Sequence, residues 1–264
     1  MSLLDPLTHA LAAVLAAAHT TVTTLGAAPA SGPTWLLCVA ALVAVVRVAL
    51  VPFAVHGVRQ AHAAARARGQ LRDLARRYAG RSDADSVRAR LEERRRIHDE
   101  HGVSRWGCLP LLAQVPVWWA LYHLIAAVAG GASVGAMSGD LVASFAAATL
   151  LGVPLIGRGY VGGGGAQLAV VAGLAVTAAL VSFATQRFFV APAAVLGDLP
   201  EAMVSAHQLM PLISAVGLLI AGGFVPVALL AYWVCNGAWT LGQAAVIWRW
   251  YPTPGSPAAL KRAG

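Results

Sequence analysis

Charge is scarce in this chain. Only 11% of its 264 residues are Asp, Glu, Lys or Arg, where an average soluble domain carries about 25%. With 58% hydrophobic residues and a mean hydropathy of +0.69, the composition is that of a polytopic membrane protein. Cysteine is equally sparse. Cys38, Cys108 and Cys235 all fall in apolar stretches, with no CxxC spacing and no His/Cys cluster, so neither disulfides nor a metal site are indicated. None of the 11 acidic residues lies in a long apolar stretch. No carboxylate pair, nucleophile–base pair or His cluster stands in or beside those stretches, which argues against an enzyme. The alternation of a transmembrane barrel is missing too. So is any internal repeat, which speaks against transporters built from duplicated halves. Backbone polar groups in lipid need internal partners, so the expected fold class is all-α.

What charge there is has been gathered in one place. Residues 59–105 hold 13 of the 19 Lys and Arg, and the chain before residue 59 holds only Arg47. Basic residues in short loops stay on the cytoplasmic side. The net charge of +8 therefore reads as topology rather than as a nucleic-acid footprint, and no specific DNA partner is expected. At ~20 residues per span, five membrane spans fit: about 34–55, 108–128, 167–186, 209–223 and 225–248. The insert together with Arg187, Arg249, Lys261 and Arg262 puts 17 basic residues on one side. An outside N-terminus and a cytoplasmic C-terminus follow.

The expected organisation is an N-terminal interfacial amphipathic helix and linker over 1–30, a first transmembrane segment over 31–57 and a basic hairpin over 58–106. Four further spans occupy 107–250, with an external loop at 129–166 holding one short apolar helix near 141–151. A short tail covers 251–264. The N-terminus lacks the basic start of a signal peptide, and residues 3–25 are broken by Asp5, Pro6, His9 and His19, which suits a helix lying on the membrane. Within the insert, 58–79 is rich in good helix formers. Gly80 ends that helix and Ser82 or Asp83 can cap the next. Two amphipathic helices joined by so short a turn predict an antiparallel hairpin in the cytoplasm. Arg76, Arg77, Arg94, Arg95 and Arg96 are its candidate docking residues, although much of that charge reads equally well as solvated surface.

An Arg inside a span costs about 3 kcal/mol or more and marks a functional site by default. Arg47 lies 12 residues before Arg59, about 18 Å along a helix. With no acid in any span, water or neutral polar groups must surround it. Gln114 and Asn236, then Gln243, Thr177 and Ser182, are available. Snorkelling to the cytoplasmic interface is the alternative for Arg47, and plain interhelical hydrogen bonding the alternative for Gln114.

The second apolar segment opens as GCLPLLAQVPVWWALYHLI, Gly107 to Ile125. Taken with Arg47 and the basic insert, this resembles the YidC/Oxa1/Alb3 family of membrane protein insertases. Gly107, Cys108, Leu109, Pro110, Leu112, Gln114, Pro116, Leu121 and Tyr122 stand at the family's motif positions. Gln186-Arg187, His207 to Pro211, and Pro226, Tyr232, Trp233 and Asn236 match later elements, so the resemblance covers roughly 30–250. It departs at Ala228, where Gly is usual, and in the tail, which lacks the long basic extension of mitochondrial members. The resemblance implies a bacterial short form without a large domain outside, located in the plasma membrane. It implies a non-enzymatic insertase and chaperone that needs no cofactor or metal. Its positively charged groove would open to cytoplasm and lipid, built from Arg47, Gln114 and Asn236 with Tyr232 and Trp233 near the rim. Nascent membrane proteins are the expected clients, with the ribosome and the Sec translocon as further partners. The competing reading is a small transporter or channel in which Arg47 binds an anion.

Overall fold

The computed structural model describes residues 5–104, 109–193 and 201–263, so Gly107 and Cys108 of the motif lie outside the described residues. Helices account for most of it. α1 (Asp5–Thr24) buries Leu11, Ala12, Leu15 and His19, a stripe at three- and four-residue spacing. α2 (Gly32–Ala49) starts at Ser31, whose hydroxyl accepts from the Thr34 N–H at 3.3 Å, with Pro33 in the first turn. It stops at Leu50, and α3 (Val51–Arg77) follows at once with Pro52 in its first turn. Proline has no N–H to continue the ladder and its ring crowds the preceding turn. The apolar run expected over 34–55 is therefore two helices.

α4 (Ala84–Glu100) is capped by Asp83, whose carboxylate accepts from the Ser86 N–H at 2.9 Å. That backbone bond, with help from the Ser86 side chain, holds the Asp83 carboxyl below its ordinary range. Between α3 and α4 the chain turns through Gly80, at φ +78. The two helices run antiparallel: Arg77 meets Glu93 at 2.8 Å, and Gln60 near the start of α3 accepts from the Ser104 N–H beyond α4 at 2.7 Å. Ala67, Leu74 and Ile97 form a small separate core between them.

α5 (Leu109–Ala129) contains Pro116, and α6 (Gly139–Ala147) follows in the next loop. Then comes a departure from all-α: β1 (Thr149–Leu150) pairs antiparallel with β2 (Val153–Pro154). The two turn residues, Leu151 and Gly152, have φ of 53 and 82, the left-handed pair that a two-residue hairpin requires. Its first strand passes so near the start of α2 that a Cβ on Gly32 would collide with the Thr149 carbonyl oxygen. α7 (Gly164–Ala184) runs into a π-helical turn, Thr185–Val190, and a last piece, α8 (Ala191–Ala193). α9 (Glu201–Gly222) contains Pro211, α10 (Val227–Trp250) follows a tight turn, and α11 (Pro257–Ala263) closes the chain.

Among the described residues, three helical stretches are both long and apolar enough to cross a membrane: Gly32–Ala49, Gly164–Ala193 and Val204–Gly222. Gln114–Ala129 is apolar but shorter. α10 is 24 residues long and carries Asn236, Thr240, Gln243 and Arg249. In space α2 packs between α1 and α10, α10 continues onto α7, α7 onto α9, and α5 rests on α1 and α3.

The core occupies one end of this bundle. Trp35 is fully buried, stacked on His19 at 4.5 Å and edge-on to Phe145 at 5.1 Å. Its indole N–H donates to Ser144 Oγ at 3.2 Å, and Ser144 and His19 both bond the Pro29 carbonyl. One polar knot thus ties α1, α2 and α6 together.

Candidate functional site around Arg47

Burial stops at one level in three helices. α2 has no buried residue after Val43, α10 none after Tyr232, and α5 buries Ala120, Leu121, Leu124, Ile125 and Val128 but nothing between Gln114 and Trp119. Four residues make about one helical turn, so Arg47 and Asn236 each sit one turn beyond the last buried side chain of their helices. On the core side of this level α2, α5 and α10 bury side chains, and on the other side none of their described side chains is buried.

At that boundary α2 and α10 bring three polar side chains together. Arg47 Nε donates to Asn236 Oδ1 at 3.0 Å and one terminal nitrogen donates to the same oxygen at 2.7 Å. That terminal nitrogen also donates to Thr240 Oγ1 at 2.7 Å. The Thr240 hydroxyl in turn donates to the Asn236 carbonyl oxygen, one turn back, at 2.8 Å. Every partner is neutral. The positive charge is held in place but not cancelled, and guanidinium donors remain for another acceptor. Such an arrangement holds a cation ready for anionic or carbonyl groups that approach from the unpacked side.

The other expected residues divide. Tyr232 is buried in the main core and Trp233 is packed against it, so both lie on the core side of the Arg47 level. Gln114 is half-buried on α5, before its first buried described residue, and is not among the hydrogen-bond partners of Arg47. Thr177 turns back to the Gly173 carbonyl, and Ser182 points to Ser214 of α9. Thr240 was missed, although its position was available: it stands four residues after Asn236 on the same helical face.

The five arginines of the α3–α4 hairpin are all exposed but not equivalent. Arg77 is committed to Glu93 at 2.8 Å, and Arg96 lies 3.7 Å from Glu93 and 3.5 Å from Glu100. Arg76, Arg94 and Arg95 make no ion pair among the described residues. No group of three or more metal-ligating side chains occurs among those residues either.

The family model for the 60Kd inner membrane protein matches residues 27–254. The chain belongs to that family, the YidC/Oxa1 group. It is 29% identical over 238 residues to a "Membrane protein insertase YidC" of Streptomyces avermitilis, covering 86% of this chain and 54% of that protein. The Corynebacterium efficiens insertase of the same name is 26% identical, over 81% of this chain and 60% of its own length. That of Bifidobacterium longum is 23% identical, over 90% and 72%. The chain spans little more than half the length of the first two relatives. It is a multi-pass membrane protein of this family, and the matched region contains Arg47, Asn236 and Thr240.

Proposed function

We propose that this chain is a membrane protein insertase and chaperone, and that the Arg47 site is the charged floor of a hydrophilic groove open to cytoplasm and lipid. The observation that carries the reading is the neutral coordination of Arg47 at the level where burial ends. A nascent segment with a hydrophilic tail faces an apolar layer about 30 Å thick. A groove that is wet from one side to the depth of Arg47 and plugged beyond it shortens that layer, with no covalent step and no cofactor. The fixed guanidinium attracts acidic residues of the tail. Because its partners are neutral, they do not compete as a carboxylate would.

Five spans are proposed, formed by α2, α5, α7, α9 and α10, with the N-terminus outside and the C-terminus in the cytoplasm. The α3–α4 hairpin then stands on the cytoplasmic face at the groove's mouth, and α1 lies at the outer surface beside the plug. Nascent membrane proteins are the clients, within the lipid bilayer. Exposed Arg76, Arg94 and Arg95 suit anionic surfaces, whether lipid headgroups or ribosomal RNA, and work beside the Sec translocon is compatible with this layout. The named activity of the relatives supports the same reading. The test is depletion–complementation: this chain should restore insertion of single-span, N-out substrates in cells depleted of their own insertase. No restoration despite stable expression in the membrane contradicts it.

A further inference from the structure

Two irregular helical stretches meet at one point. The π-helical turn Thr185–Val190 follows the end of α7, and Pro211 lies inside α9. A π turn inside a helix and a proline are both recognised sites of bending. Between them lies a closed polar cluster. Gln186 Nε2 donates to Ser214 Oγ at 2.6 Å, Ser182 Oγ approaches the same oxygen at 3.5 Å, and Ser214 donates to the Pro211 carbonyl at 3.1 Å. The Ser214 hydroxyl thus uses its one donor and both acceptor positions. A Ser bonded back to the preceding turn itself favours a bend, and Thr185 does the same to Val181 at 2.7 Å.

The cluster stands beside the Arg47 site. Gly237, next to Asn236, lies against Val181, next to Ser182: a Cβ at Gly237 would meet Val181 Cγ1 at 3.1 Å. α9 packs chiefly on α7 and its π turn. Before Ser214 its one buried residue from Val204 onward is Pro211, while Leu209, Met210, Leu212 and Ile213 are all about half exposed or more. Beyond the cluster the Tyr160 hydroxyl bonds the Leu219 carbonyl and pins the other end of α9.

We propose that Gln186, Ser182 and Ser214 form a latch that positions α9 as a hinged side wall of the groove. Release of the latch lets the first part of α9, from Glu201 to Ser214, move away from α7 while Tyr160 holds the far end at Leu219. The groove's opening toward lipid then widens at the level where a client's apolar segment leaves it. Hydrogen bonds between membrane helices are weak enough to exchange, so a polar stretch of client in the groove can replace the latch bonds and open the wall. This rests on the groove reading above. Gln186 and Ser214 are positioning residues, since they act through the placement of α9.

The test uses the full chain in liposomes with its native cysteines replaced. Spin labels at Leu180→Cys on α7 and Ser205→Cys on α9 report the position of the first part of α9. Ser214→Ala and Gln186→Leu should broaden the distance distribution toward longer separations, and Ser214→Thr, which keeps the hydroxyl, should not. Unchanged distributions in both latch-breaking variants overturn the proposal, whatever happens to activity. A second arm joins the latch by oxidising a Ser182→Cys/Ser214→Cys pair. Oxidation should abolish most of the insertion shown by the same reduced protein, and reduction should restore it. Equal insertion by both forms overturns the gate. A broadened distribution in a chain that inserts nothing, even with the native latch, leaves the hinge standing and rejects the insertase reading instead.

Discussion

Arg47 and Asn236, 189 residues apart in the chain, are joined by two hydrogen bonds to a single amide oxygen, at 3.0 and 2.7 Å. A membrane helix rarely carries an Arg without a carboxylate partner or water, because the unpaired charge is so costly. Here a neutral dipole and a hydroxyl orient the guanidinium and leave its charge intact.

Asn236→Leu should therefore be more damaging than its size suggests. Removing the acceptor strands two guanidinium N–H groups, at a cost of about 1–3 kcal/mol. Arg47→Leu combined with Asn236→Leu should cost less than the sum of the two single changes, because neither variant side chain is left beside a partner that has lost its hydrogen bond. Thermal unfolding of the four proteins in one detergent measures this. Strict additivity contradicts the coupling.

Insertion should follow the charge. Arg47→Ala is expected to impair substrates with acidic translocated tails most, and Arg47→Lys to retain part of the activity, since Lys keeps the charge but loses the fixed fork. Comparing acidic and neutral tails on one substrate checks this. Full activity of Arg47→Ala on several acidic tails contradicts an electrostatic role.

The hairpin arginines should separate into two groups. Reversing Arg94 and Arg95 together should weaken association with anionic vesicles or ribosomes, with a steep salt dependence. Reversing Arg77 should instead loosen the hairpin by no more than about 1 kcal/mol, because its partner is at the surface. Cosedimentation over a salt series, with helicity measured in parallel, distinguishes the two groups.

At the closed end, Trp35→Ala should cost about 3 kcal/mol, the usual loss for a fully buried Trp. It should also release α1 to proteolysis. Trp35→Phe keeps the stacking on His19 but loses the bond to Ser144, about 1 kcal/mol.

Much of this architecture was legible in the residues. An Arg in an apolar run far from any acid pointed to neutral partners, and Asn236 is one of them. The helix cap at Asp83, one of the two candidates beside Gly80, is a local signal that the fold obeys. The rest depended on geometry that hydropathy does not encode. The apolar run 34–55 continues across Leu50, so only Pro52 betrays the break between α2 and α3. The turn at Leu151-Gly152 lacks the Asn-Gly or Asp-Gly pair that announces such hairpins, and β1 and β2 went unseen. Gln114 carries no mark of its helix's rotation, so its place apart from the Arg47 bonds could not be read. The π turn after α7 has no sequence signature at all, and with it the company of Gln186 and Ser214 was hidden.

In the proposed groove Arg47 lies in water reached from the cytoplasm and sealed from outside. Single cysteines at Gln114, Asn236 and Thr240, each in a chain freed of Cys38, Cys108 and Cys235, test it most directly in oriented membranes with a water-soluble maleimide. Reaction at all three positions from the cytoplasmic side, with none from the outside, is the predicted result. Labelling from outside, or from neither side, would mean that Arg47 faces no cytoplasm-open groove and that its charge serves some other end.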